Sequence, residues 1–245
     1  MHIVTGASSG IGRATATALA SRGQRVLAVA RRWDALLELQ SSYPELLRPL
    51  QADVSTTEGV EAIANAASSH IVCSVVHAAG SRVELARYQQ LEVTRLVQDM
   101  AVHVAAPIAI NNQLQAQFQH TRLLYVDSYS ALEPRVGWAG YSIVKAAAQM
   151  AAKAAQEEID NATIIRVFPG GVRTPLVEAV LQSTSGLPTA VAFQALEAAG
   201  KINDADTIGQ YLSDILLLAT AEQLEQREFW DFSNPADRVF QPVSQ

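Results

Sequence analysis

Short β-branched and aliphatic runs alternate with longer Ala/Leu/Gln-rich amphipathic stretches along this chain of 245 residues, and that alternation constrains the fold more than any single motif. His2–Thr5, Arg25–Ala30, Leu46–Asp53, Ile71–His77, Arg122–Asp127 and Ala162–Phe168 read as strands. Between them Ile11–Ser21, Trp33–Gln40, Thr57–Ala67, Glu92–Gln117 and Trp138–Glu158 read as helices. A helix between successive strands returns the chain to the same edge, so the strands run parallel with helices on both faces. Near-continuous apolar strands such as Val26-Leu27-Ala28-Val29-Ala30 fit burial on both sides. A helix at Ala205–Thr220 and a last strand at Glu228–Phe232 close the pattern. The expected fold is α/β, a doubly wound parallel sheet of about seven strands. The length suits one domain, 1–245. The stretch 174–204, punctuated by Pro175, Gly186, Pro188 and Gly200, is expected to be a loop covering the ligand crevice.

Composition narrows the partners. Eighteen Lys+Arg against 24 Asp+Glu leave a formal charge of -6, which repels nucleic-acid phosphates and anionic lipid, so neither is expected as a partner. Although 49% of residues are apolar, no uninterrupted apolar stretch approaches the length of a bilayer span. The lone cysteine, Cys73, allows no intramolecular disulfide and no zinc cluster, so no metal is expected, and a reducing cytoplasm fits. Flanked by Ile71, Val72, Val75 and Val76, it is expected to be a small buried core residue. A first strand beginning at about His2 is expected to leave no room for a signal or transit peptide.

Between the first strand and the first helix stands Thr5-Gly6-Ala7-Ser8-Ser9-Gly10-Ile11-Gly12. Glycines allow a tight turn and a close backbone approach to a pyrophosphate, whose charge then meets the free N–H groups of the helix start. Three glycines alone would equally serve a plain strand-to-helix turn, but the alternating context favours a dinucleotide. The second strand ends at Ala30 with no carboxylate for a ribose 2′-hydroxyl; Arg31 and Arg32 follow instead. A guanidinium pairs with a 2′-phosphate that Asp or Glu would repel, which points to NADP(H).

Tyr141-Ser142-Ile143-Val144-Lys145 lies in a helical stretch, and Ser128 ends the fifth strand. Four residues make one helical turn, so Tyr141 and Lys145 share a side. A phenol is a poor acid/base near neutrality, and an ammonium beside it is expected to stabilise the phenolate and lower its pKa.

These motifs together resemble the short-chain dehydrogenase/reductase superfamily, whose glycine spacing is Gly-x-x-x-Gly-x-Gly. The resemblance implies catalytic roles for Ser128, Tyr141 and Lys145, and cofactor contacts from Gly6, Ser8, Ser9, Gly10, Ile11 and Gly12. Asp53-Val54 resembles the family's adenine-contacting pair. His77-Ala78-Ala79-Gly80 resembles its Asn-Asn-Ala-Gly segment, with the two asparagine positions held by His77 and Ala78. Pro169-Gly170-Gly171-Val172-Arg173-Thr174 resembles the segment that fixes the nicotinamide carboxamide. A further departure is His103, where relatives place an asparagine whose helix kink helps hold a relay water; the apolar neighbours Val102, Val104 and Ala105 are expected to keep its imidazole neutral.

The reaction so implied is reduction of a ketone or aldehyde by hydride from NADPH, with Tyr141 as proton donor. Gly137-Trp138-Ala139-Gly140-Tyr141 and Arg227-Glu228-Phe229-Trp230-Asp231 are similar to the sepiapterin and benzil reductase branch, which suggests a vicinal dicarbonyl or pterin side chain. The alternatives are a 3-oxoacyl reductase-type enzyme and a non-catalytic NADP-binding regulatory protein. The family also implies a homodimer or homotetramer.

Overall fold

A computed structural model of the chain describes residues 1–81 and 85–240. Seven parallel strands lie in the order β3-β2-β1-β4-β5-β6-β7: β1 (His2–Thr5), β2 (Val26–Ala30), β3 (Leu47–Gln51), β4 (Val72–His77), β5 (Phe118–Val126), β6 (Ala162–Phe168) and β7 (Trp230–Asp231). The order reverses between β1 and β4, which opens a crevice at the carboxyl ends of the strands. The doubly wound sheet expected from the alternation is therefore present.

Because successive strand side chains point to opposite faces, each central strand feeds two cores. Val4, Val26, Ala28, Val76 and Leu124 pack with α1 (Gly10–Ser21), α2 (Trp33–Ser41) and α9 (Ala205–Leu218). Ile3, Leu27, Val29, Val75 and Leu123 pack with α3 (Thr57–Ala67), α5 (Ala106–Leu114) and α6 (Ala139–Glu158). Each fully buried Leu, Ile or Val contributes about 1.5–3 kcal/mol. On the first face α1 and α9 cross closely, since a Cβ added at Gly209 would lie 2.5 Å from the Ala14 carbonyl carbon.

Four expectations need correction. The expected helix 92–117 is α4 (Val93–Met100), a π-helical turn at Ala101–Ala105 that holds His103, and α5. Its 93–117 span is also long and apolar enough, by length and composition, to cross a membrane, because small and aliphatic residues dilute Arg95 and Asp99. In this fold Ala106, Ile110 and Leu114 of that span are buried against the sheet.

The expected loop 174–204 contains two helices, α7 (Pro175–Leu181) and α8 (Pro188–Ala198). Both prolines stand at helix starts, where a missing N–H costs nothing, and Thr174 caps the first by accepting from the Val177 amide at 3.4 Å. Cys73, expected in the core, is exposed: β4 shifts register between Val72 and Ser74, and the thiol turns outward to the Met1 ammonium at 3.3 Å. After α9 the chain adds a short helix, α10 (Ala221–Glu225), before β7.

Candidate active site

The glycine loop is fixed by steric necessity. Gly6 and Gly10 have φ of +70° and +53°, and a Cβ on Gly6 would lie 2.6 Å from the Ala78 carbonyl oxygen. Gly12 approaches the Gly6 carbonyl as tightly, at 2.6 Å from its own notional Cβ, while Gly10 abuts Thr174. Thr5 Oγ1 accepts from the amides of Ala78 and Ala79 at 3.2 and 3.1 Å and donates to Val76 O at 3.1 Å. The loop thus meets the segments 77–80 and 169–174 at one place. No side chain caps α1 at Ser9, so the first-turn amides and the positive end of the helix dipole remain for an anion. That cradle fits a dinucleotide pyrophosphate.

At its mouth Arg32 donates to the Ser8 carbonyl at 2.9 Å, and Arg31 stands 3.7 Å from Asp53 with its side chain largely exposed. Burial pushes the Asp53 carboxyl up, but the Ser55 hydroxyl and amide, with Arg31, outweigh it and hold the group below its ordinary value. Val54 beside it turns into the core with Val60 and Ile63. The 169–174 turn takes its shape from Asn203, unnoticed in the sequence. Asn203 Nδ2 donates to Pro169 O at 3.2 Å, its amide to Gly171 O at 2.8 Å, and its carbonyl accepts from Arg173 at 2.9 Å. Gly170 has φ of +74°, and Val172 bridges back to Asn203 and is buried.

Ser128, just past the end of β5, comes together with Tyr141 and Lys145 of the first two turns of α6. Ser128 caps a short turn, its Oγ accepting from the Ser130 amide at 3.2 Å. Lys145 Nζ donates to Val126 O at 2.9 Å and lies 5.8 Å from the Tyr141 ring centroid. The Tyr141 ring stacks on Trp138 at 4.4 Å, Phe193 of α8 meets Trp138 edge-on at 5.4 Å, and Val177 and Val180 of α7 complete the apolar lining. Burial under this lining pushes the Tyr141 phenol up to about 12, with Asp127 adding to the rise and Ser128 opposing it. The lowered phenol pKa expected from the Tyr/Lys spacing is therefore not found here. Desolvation wins, and it also lowers Lys145, whose ammonium Asp127 supports in turn. A phenol held protonated at neutral pH is suited to giving a proton away.

Behind Lys145 lies a cavity of about 20 Å³, room for one water molecule, lined among others by His77, His103, Tyr125, Asp127 and Gln149. His103 Nε2 accepts from the Ser81 amide at 3.2 Å, and its imidazole is lowered to about 3 by burial and then by Lys145, so it is neutral as expected. His77 Nε2 is bonded to Asn111 Oδ1 at 3.0 Å, and Asn111 donates to Tyr125 OH at 2.7 Å; burial lowers His77 to about 4. The asparagine positions of the motif are thus filled by neutral, hydrogen-bonded imidazole and by the backbone of Ala78.

Among the described residues no group of three or more His, Cys, Asp or Glu is placed to hold a metal. Residues 1–185 match the short chain dehydrogenase family. Sepiapterin reductase of Xenopus laevis is 28% identical over 94% of this chain and 95% of its own. The NADP-dependent 3-hydroxy acid dehydrogenase of Schizosaccharomyces pombe is 27% identical over 70% of this chain and 71% of its own. The crystal structure of a short chain dehydrogenase/reductase from Saccharomyces cerevisiae superposes with a TM-score of 0.88 at 20% identity, covering 98% of this chain and 99% of that one. With the family match spanning the strand-to-strand core and the glycine loop, the protein belongs to the short chain dehydrogenases and is an oxidoreductase of that family.

Proposed function

We propose that the whole chain works as one unit, an NADP(H)-dependent carbonyl reductase whose proton donor is Tyr141. The observation that carries this reading is the convergence of Ser128, Tyr141 and Lys145 in an apolar site at the carboxyl ends of the strands, beside the glycine cradle. Gly6, Ser8, Ser9, Gly10, Ile11 and Gly12 would hold the cofactor's pyrophosphate, Asp53 and Val54 its adenosine, and Arg31 and Arg32 its 2′-phosphate. Ala79, Gly80, Pro169, Gly170, Val172 and Thr174 would hold its nicotinamide end, which would supply the hydride. Ser128 hydrogen-bonds the substrate carbonyl, Tyr141 protonates the developing alkoxide, and Lys145 offsets the charge left on the phenolate.

NADP rather than NAD is favoured by Arg31 and Arg32 and by the NADP dependence named for the Schizosaccharomyces pombe relative. The substrate is a vicinal dicarbonyl or a carbonyl on a flat heterocycle. The stacked Trp138 and Tyr141 with Phe193 suit a planar group, and the full-length relative from Xenopus laevis is a sepiapterin reductase. Val93, Val97, Ile108, Ile143 and Met150 expose apolar side chains along α4, α5 and α6, and a second copy of the chain covers them in a dimer.

NADPH consumption with a panel of vicinal dicarbonyls tests the reading. Turnover that is lost in Tyr141→Phe supports it; no turnover of any dicarbonyl, simple ketone or 3-oxoacyl thioester despite tight NADPH binding overturns it in favour of a regulatory binder.

A further inference from the structure

Directly beneath the catalytic serine lies a charge pair that the proposed chemistry does not use. Asp127 and Arg166 are both nearly inaccessible, with side chains 4% and 2% exposed. Arg166 Nε and Nη2 each lie 3.2 Å from Asp127 Oδ2, to which Gln149 Nε2 of α6 also donates at 3.1 Å. The other carboxylate oxygen, Oδ1, accepts from the backbone amide of Ser128 at 2.7 Å. Asp127 is thus clamped from β6 and α6 while it holds the amide of the residue whose hydroxyl faces Tyr141.

A buried charge pair is costly to desolvate, and apolar residues of similar volume commonly serve stability as well, so stability alone gives little reason for one at this place. Its surroundings suggest another role. Lys145 reaches the Val126 carbonyl next in sequence to Asp127, and Asp127 and Lys145 line the same cavity. The charged and titratable groups around the Tyr141–Lys145 couple are Asp127 just past β5, Tyr125 on β5, Arg166 on β6, His103 on the π turn and His77 on β4. Glu228, 3.4 Å from Arg166 and 3.0 Å from Lys153, continues the alternation outward.

We infer that the Asp127–Arg166 pair is a positioning device of the active site: Asp127 fixes Ser128 through its backbone amide, and Arg166 balances the carboxylate so that the field on the Tyr141–Lys145 couple stays near neutral. This rests on the reading of Tyr141 as proton donor.

Single and paired neutralisations test it through the alkaline limb of NADPH-dependent reduction, which falls as the Tyr141–Lys145 couple loses its proton. Asp127→Asn removes a negative charge and should move the limb to lower pH by about 0.5–1; Arg166→Gln should move it upward; the double variant should return it to the parent's position. A merely structural pair would lower the unfolding temperature without opposite displacements, and that result overturns the inference.

Either single variant leaves a buried charge unpaired. If one fails to fold, Asp127→Leu/Arg166→Met, which buries neither charge, carries the test: kcat should fall about tenfold or more at unchanged NADPH Kd and unfolding temperature, because Ser128 has lost its acceptor. Unchanged kcat overturns the inference. Tyrosinate absorbance, read as each variant minus its Tyr141→Phe counterpart, needs no substrate. Opposite displacements there with no carbonyl turned over would reject the substrate reading and leave this inference standing.

Discussion

Arg32 folds back onto the glycine loop, its Nη2 2.9 Å from the Ser8 carbonyl and 3.2 Å from Ser8 Oγ, so the second of the two arginines braces the loop while the first is held only loosely, beside Asp53. The Arg31 guanidinium lies 3.7 Å from Asp53, its carbonyl accepts from Gln51 Nε2 at 2.9 Å, and its side chain is 69% exposed. The two should separate in cofactor binding. Arg31→Asp should weaken NADPH binding by about 1.5–3 kcal/mol, a charge-assisted hydrogen bond lost and a repulsion gained, and improve NADH use relative to it. Arg32→Ala should weaken both cofactors, NADPH the more, because the loop itself loosens and one of the two 2′-phosphate partners is lost. Equal NADPH affinity in Arg31→Asp would remove Arg31 from the 2′-phosphate.

Tyr141→Phe keeps the ring stacked on Trp138 and deletes only the hydroxyl. Turnover should fall by about 10²–10⁴ while NADPH affinity changes little, the pattern of a lost proton donor rather than a lost binding contact. Stopped-flow hydride transfer and cofactor fluorescence separate the two quantities. A variant that keeps most of its kcat would exclude this phenol as the acid.

Gly209 of α9 faces Ala14 of α1 so closely that a Cβ would stand 2.5 Å from the Ala14 backbone and 2.7 Å from its side chain. Gly209→Ala gains helix propensity worth about 1 kcal/mol and forces the helices apart, which commonly costs about 1–3 kcal/mol. Net destabilisation is expected in urea unfolding, with cofactor affinity preserved. A midpoint equal to or above the parent's would mean that the crossing yields easily.

Local patterns were legible in the sequence; contacts across the sheet were not. Tyr141 and Lys145 share a face because they are one helical turn apart, and the glycine loop announces itself between a strand and a helix. Pro175 and Pro188 were misread as loop punctuation because proline breaks a helix interior yet suits its first turn, and only the surrounding packing decides which. Cys73 has apolar neighbours on both sides, but a register shift of β4 turns it outward. The raised phenol of Tyr141 depends on how deeply α7 and α8 cover it, and the Asp127–Arg166 pair joins the turn after β5 to β6 across 39 positions. Neither has a signature in spacing.

The two buried imidazoles, His77 and His103, should affect acid stability rather than turnover. The π turn is present with His103 in place, so an asparagine is not required for it. Desolvation holds His103 near 3 and His77 near 4, below the unperturbed value of about 6.5. Both are therefore neutral across the working range, and His103 adds no ionisation near neutral pH to kcat. The unfolded chain binds protons at these positions below about pH 6.5 while the native state refuses them. Stability should accordingly be full above about 6.5 and decline as pH falls toward 4 and 3. His103→Asn should keep kcat within about threefold at pH 7 and flatten part of that decline, read as unfolding temperature against pH. A tenfold or greater loss of kcat together with the disappearance of an inflection near neutrality would instead make His103 a proton-relay residue.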